Sequence, residues 1–264
     1  MTLASRTTLA HAFMAVALLS GCINTPPGAF IVPPAFQDNP RAPLEEPLVL
    51  LPIQVEAVEV DASGTPYPAP AVARELEKAF DLEVRELADQ VPWLTVIDLP
   101  SLNSGERETL DQHLRLLRRV SLTAAGAYLS REEVWNNAAA DLDYSIGDGL
   151  AFLRARIGAR HALMIVGGRA TSTGGRMALN ALIAVVPSLL VPGLVFVPLG
   201  PFSTSQLVAT VIDLESGDLQ WLHPGDGRYR RQVDMTSEGG ARRTIRAMLR
   251  APYRQEYRMR AKNR

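Results

Sequence analysis

The chain contains a single cysteine, and this constrains how the protein can fold. Cys22 ends the tetrapeptide Leu19-Ser20-Gly21-Cys22, which closes an apolar stretch that begins at Ala12. The residues before this stretch include Arg6 and no acidic residue. A basic start, an apolar stretch and small residues at its end are the layout of a secretory signal peptide. We therefore expect an exported protein whose domain is not stabilised by disulfides.

The tetrapeptide resembles the lipobox of bacterial lipoproteins. This resemblance implies cleavage before Cys22, a diacylglycerol in thioether linkage to its sulfur, and an acyl chain such as palmitate on its new amino group. Because Ile23 and not an aspartate follows the cysteine, it also implies an outer-membrane anchor facing the periplasm in a Gram-negative cell. The alternative is an ordinary signal peptide, residues 1–21, with a coincidental cysteine after it.

Chain length and composition are those of a globular protein. Removal of residues 1–21 leaves 243 of the 264 residues, which is enough for one large domain or two small ones. Hydrophobic residues make up 47% of the chain and charged residues 21%. We therefore expect a sizeable core that is held by packing alone.

A proline-rich segment follows the cysteine. Residues 23–47 include seven prolines among 25 residues. Such a run favours polyproline II and excludes a helix or a central strand. Together with Cys22 it is expected to form a tether over residues 22–47, with an extended reach on the order of 75 Å. The alternative is that part of it, Phe30-Ile31-Val32, lies against the domain.

The rest of the chain alternates between apolar runs and helical stripes. Strands are predicted at 48–53, 94–97, 162–166, 206–214 and 218–222, and helices at 72–91, 104–120, 148–156 and from 237 to Pro252, with a capping box at Ser130–Glu133 before one more helix. This pattern predicts an α/β fold: a single domain over residues 48–252, with a mixed sheet of about five strands flanked by helices. A basic tail at 253–264 follows.

Positive charge is concentrated at the C-terminal end. Residues 228–264 contain twelve basic and three acidic residues, whereas residues 23–227 have an excess of eleven acidic ones. The last predicted helix carries Arg242, Arg243, Arg246 and Arg250 opposite an apolar face. In an exported protein this pattern favours binding to anionic lipid or to an acidic protein and not to nucleic acid. The alternative is pairing with the acidic body of the chain itself.

No charged residue occurs between Arg176 and Asp213, a gap of 36 residues. Within this gap, the apolar segment at 177–202 is long enough to span a bilayer, but Pro187, Pro192 and Pro198 argue against one continuous helix. Three interpretations remain: a buried hairpin of the core, a proline-broken loop that packs on a partner subunit, or a segment that dips into a membrane. The interaction residues predicted within it are Leu189, Leu190, Val195 and Phe196.

Three segments carry a resemblance to one group of envelope proteins: the strand at 48–52 before a long helix, the run 155–167, and the run 208–221. They resemble the periplasmic α/β domain of the curli-secretion lipoproteins and of the lipoprotein activators of penicillin-binding proteins. In those families a Gly-Ala-Asp turn precedes one strand and Asp-x-x-Thr-Gly ends another, whereas this chain has Arg160 and Ser216 at the corresponding Asp and Thr positions. In the secretion branch an inserted segment forms a membrane-spanning hairpin. The alternation of apolar and polar residues needed for such a hairpin is absent from residues 177–202.

Sequence motifs for catalysis are absent. The chain has no HExxH, GxSxG, Walker A or GxGxxG pattern. His113, His161 and His223 are far apart in sequence, and nothing in their spacing indicates a metal site. We therefore expect no catalytic residue, no metal and no cofactor.

These observations predict a lipid-anchored cell-envelope lipoprotein that acts as a non-catalytic protein-binding or assembly module, with an envelope protein or a second copy of itself as partner. One alternative is a subunit of an oligomeric export or membrane-associated complex that uses residues 177–202. Another is a lipid-anchored hydrolase, because catalytic triads are spatial arrangements that a sequence does not reveal.

Overall fold

The sheet is organised around one long strand, β5 (His161–Ser172). The structure is a computed structural model that describes residues 30–60, 65–130, 142–172, 203–225 and 238–250. Residues 162–166 of β5 are all buried, as is typical of a strand covered on both faces. Both edges of β5 are paired, which places it inside a seven-stranded mixed sheet.

The remaining elements surround this strand. The other strands are β1 (Leu48–Leu50), β2 (Gln54–Val60), β3 (Pro66–Pro68), β4 (Val96–Ile97), β6 (Ser203–Asp213) and β7 (Leu219–His223), and the α-helices are α1 (Ala42–Glu45), α2 (Pro70–Gln90), α3 (Ser104–Ser130), α4 (Ala151–Ile157) and α5 (Glu238–Leu249). The predicted α/β fold with a mixed sheet flanked by helices is confirmed.

Strands β1 and β2 lie one after the other along the same edge of β5, and both are parallel to it. Leu48 is opposite His161 and Gln54 is opposite Val166, so the register shifts by one residue between the two strands. Pro52 lies exposed at this break. β4 extends the sheet next to β1 and β3 next to β2. On the other edge of β5, β6 and then β7 continue the sheet in antiparallel order.

Alternating side chains divide the core into two layers, one on each face of the sheet. Successive residues of β5 belong to different layers: Met164 packs with α3 and α4, whereas Ile165 packs with α2 and α5. The α3 layer contains Leu114 and Leu117, and the α2 layer contains Phe80 and Ile245. A helix layer on each face explains why β5 is apolar at consecutive positions.

Helix α3 is longer than predicted. It starts with a capping box in which the Glu106 N–H donates to Asn103 Oδ1 and the Asn103 N–H donates to Glu106 Oε2, each at 2.9 Å. The bond from the Asn103 N–H is the main cause that lowers the Glu106 pKa. The helix is described as far as Ser130, where the described range ends. Residues 131–133 of the predicted capping box lie outside the described residues.

The proline-rich segment is packed on the domain from Phe30 onward, and we call residues 30–47 the strap. The Ile31 N–H donates to Leu222 O at 2.8 Å, and the Leu222 N–H donates to Ile31 O at 2.9 Å. Leu44 of α1 is fully buried in the α2 layer. The expectation of a free tether without a helix is thus wrong for residues 30–47, because Ile31, Val32, Pro43 and Leu44 are buried and α1 lies within the segment. The alternative for Phe30–Val32 agrees with this contact, and residues 23–29 lie outside the described residues.

Candidate functional site

Arg160 and the turn between β6 and β7 come together at one end of the sheet. Arg160, just before β5, donates from Nε to Asp213 Oδ2 at 2.9 Å, and this bond raises the pKa of Arg160. Asp213 Oδ1 accepts from the N–H groups of Glu215 at 2.8 Å and Ser216 at 3.3 Å. The buried carboxylate therefore closes the turn between β6 and β7. Arg160 supplies its charge partner.

His161 lies beside this turn, buried under the strap. Its Nδ1 is 3.2 Å from Glu46 Oε2, but the angle does not make a hydrogen bond, and neither ring nitrogen has a hydrogen-bond partner in the structure. Burial lowers the His161 pKa, and the Glu46 carboxylate opposes this shift. A neutral histidine in contact with the strap is the result, without a described Ser or Cys nucleophile hydrogen-bonded to it.

His223, at the other end of the β7 edge, is also buried. Its Nδ1 accepts from the Gly225 N–H at 3.1 Å, so Nε2 carries the proton in the neutral ring. Burial lowers its pKa to about 4. Trp221 lies between His223 and Phe30 of the strap, with ring-centroid distances of 6.1 and 6.5 Å. These rings attach the strap to the sheet, and their arrangement has no catalytic geometry.

Of the four arginines predicted to form an interaction face, two donate hydrogen bonds to side chains of α2. Arg242 donates to Glu83 Oε2 at 3.3 Å and to Glu86 Oε2 at 2.9 Å, and Arg246 donates to Gln90 Oε1, all on α2. Arg243 is exposed, and Arg250 is half-buried. For Arg242 the structure therefore agrees with the alternative of pairing with the acidic body of the same chain.

The other predicted site residues lie outside the described residues. These are Cys22 and the four apolar residues Leu189, Leu190, Val195 and Phe196, together with the basic tail at 253–264. The flanks of the apolar segment are described: Thr171 near the end of β5 pairs with Ser203 at the start of β6. Residues 173–202 therefore connect neighbouring positions of the β5–β6 hairpin.

Neither a cluster of metal ligands nor a helix suited to cross a membrane occurs in the described ranges. The three histidines do not converge: His113 contacts its own helix through Thr109 O at 2.9 Å, and no group of three His, Cys, Asp or Glu side chains in the described chain could hold a metal ion. Of the helices within those ranges, none has both the length and the apolar character needed to cross a bilayer.

Comparisons of the chain with protein-family models, with curated proteins and with solved structures find no match.

Sequence reasoning gave the contact of residues 30–32 with the domain only as an alternative, and it missed the contact between Glu46 and His161. These two residues are 115 positions apart in the chain, and no local pattern links them. One feature of the sequence does indicate that the strap packs on the domain: Ile31, Val32 and Leu44 are large aliphatic residues within a segment that is otherwise rich in proline. Such residues are rarely left in water when a sheet edge is available to cover them.

Proposed function

We propose that the protein is a lipid-anchored cell-envelope lipoprotein whose α/β domain is a non-catalytic protein-binding or assembly module. The observation that carries this proposal is the lipobox-like Leu19-Ser20-Gly21-Cys22, in which the only cysteine of the chain takes the lipid. The expected location is the periplasmic face of the outer membrane, and the expected partner is another envelope protein or a second copy of this chain.

Several of the described polar groups have structural partners within the domain. Asp213 is occupied by a turn and by Arg160, His223 by the Gly225 N–H, and Arg242 by α2. A hydrolase needs a nucleophile within hydrogen-bond reach of a base, and the described residues contain no such pair at His161 or His223. Nucleic acid is not an expected partner of an exported protein.

A second candidate is a subunit of an oligomeric export or membrane-associated complex. It is favoured by the position of the apolar segment, which extends from the central hairpin between Thr171 and Ser203. An uncharged segment of this length needs a cover, which a neighbouring subunit or lipid would supply. Mass measurement of the purified protein in detergent separates the two candidates. The mass of a ring-shaped oligomer supports the export or membrane-associated complex, and the mass of a monomer supports the binding module.

Lipidation is tested with two substitutions in the lipobox. Cys22→Ala removes the only sulfur that can take the lipid, so palmitate incorporation and partition into a detergent phase should both be lost. Ser20→Ala keeps a small residue before the cleavage site and should be processed like the native chain. A Cys22→Ala protein that is still cleaved and membrane-bound would overturn the proposal.

A further inference from the structure

We propose that the strap holds the folded domain close to the membrane, so that the bilayer is the surface nearest to the domain. This inference rests on the proposed lipidation of Cys22. It concerns how far from the lipid the domain can stand, a distance that the packing of residues 30–47 decides.

The strap is attached to the domain at both of its ends. At its start, Ile31 makes two backbone hydrogen bonds with Leu222, and the Phe30 ring stacks on Trp221 with an angle of 24° between the rings. At its end, Leu44 is fully buried and Glu46 contacts the buried His161. Residues 37–39, between these attachments, are exposed, as are residues 34–35 and 45–47. The first attachment therefore determines where the free part of the chain stops.

Only residues 23–29 separate the lipidated cysteine from this attachment. The distance from Cys22 to Phe30 is eight residues, which span at most about 28 Å when fully extended. A free segment up to Leu48 would reach about 90 Å. A domain of this size is about 45 Å across. Because the free connection is shorter than this, the gap between the domain and the bilayer stays smaller than the diameter of the domain.

The direction of the strap indicates which end of the domain is near the lipid. Residues 30–32 run antiparallel to β7, so the chain arrives at the His223 end of that strand. His223 pairs with Ala209, and from there β6 continues in the same direction to Ser203. The end of β5 and the start of β6 therefore lie on the side of the sheet at which the strap begins.

The test compares two insertions of the same length in the full chain. A fourteen-residue Gly-Ser insert between Gly28 and Ala29 lies before the first attachment, and the same insert between Asp38 and Asn39 lies after it, in an exposed part of the strap. The lipidated proteins are placed on a supported bilayer of phosphatidylethanolamine and phosphatidylglycerol. Neutron reflectometry then measures the gap between the lipid headgroups and the protein layer.

The native protein should show a gap of no more than about 28 Å. The insert at Gly28 should widen it by up to about 20 Å, and the insert at Asp38 should leave it unchanged. Equal widening by both inserts, or a native gap well above 28 Å, would overturn the inference while the lipid anchor stands. A native protein whose mass reveals no lipid would overturn the proposed function itself.

Discussion

At the scale of single residues, the turn after β6 can pack closely on residue 147 because a glycine occupies position 217. Gly217 has φ +75°, and a Cβ at this position would lie 2.0 Å from Gly147 O. Gly158, at the end of α4, has φ +77° but no atom within 4 Å of where its Cβ would be. The two glycines share the left-handed conformation and differ in the space around them.

This difference predicts different costs for the same substitution. Gly158→Ala should lower the free energy of unfolding by about 1 kcal/mol, the cost of a left-handed alanine. Gly217→Ala adds an overlap with backbone that cannot move aside, and should cost about 3 kcal/mol. Urea unfolding of both variants measures the difference, and equal midpoints would contradict the described contact with Gly147.

At the scale of elements, α5 is held to α2 by an arginine that neutralises a buried carboxylate. The Glu83 side chain is 3% exposed, and Arg242 is its ion-pair partner at 3.3 Å. A carboxylate buried without its partner is costly. The neighbouring Arg243 is exposed and provides a matched control on the same helix.

Arg242→Ala should therefore lower the free energy of unfolding by about 2 kcal/mol, which is less than for a fully buried pair because Arg242 is partly exposed. Arg243→Ala should change it by less than about 0.5 kcal/mol. Chemical denaturation of both variants measures this. A similar effect of the two substitutions would show that the α2–α5 contact depends on helix propensity and not on the ion pair.

The elements could be predicted from sequence where local signals were strong. The apolar run at 162–166 and the helical stripe at 72–91 identified β5 and α2, because burial imposes their patterns directly. The predicted strands do not include β2, because polar and apolar residues alternate only over 54–57 before Val58 breaks the pattern, and the continuous apolar run at 48–53 is a stronger signal. β3 contains Pro66 and Pro68, which a sheet accepts only at an edge. The strap contacts depend on residues distant in sequence, which no local pattern encodes.

At the scale of the whole molecule, stability should depend on pH through the buried histidines. The His223 pKa is about 4 in the folded domain and 6.5 when exposed. Between these values the unfolded chain binds a proton at His223 that the folded domain does not, so the stability present above pH 6.5 is lost as the pH falls. The full loss is about 3 kcal/mol. His161, whose pKa is also lowered by burial, adds a loss of the same sign.

The contribution of His223 is isolated by His223→Gln, which keeps a polar side chain but does not titrate. Between pH 7.5 and pH 4, the unfolding free energy of this variant should fall less steeply than that of the native protein. Urea unfolding at several pH values gives both slopes. If the unfolding free energies of the native protein and the variant fall with equal slopes, the acid sensitivity comes from titratable groups other than His223.

Two segments that pair with the outer edge of the β7 hairpin should also limit aggregation. This edge is occupied by Ile31 opposite Leu222 and by Ser145 opposite Asp218. An uncovered edge strand is a template for pairing with other chains, and a surface-anchored protein is concentrated in two dimensions, where such pairing is favoured. By occupying this edge, the strap hinders edge-to-edge pairing between the sheets of neighbouring copies, and the proposed lipid anchor would give this protection its importance by crowding the copies on a membrane.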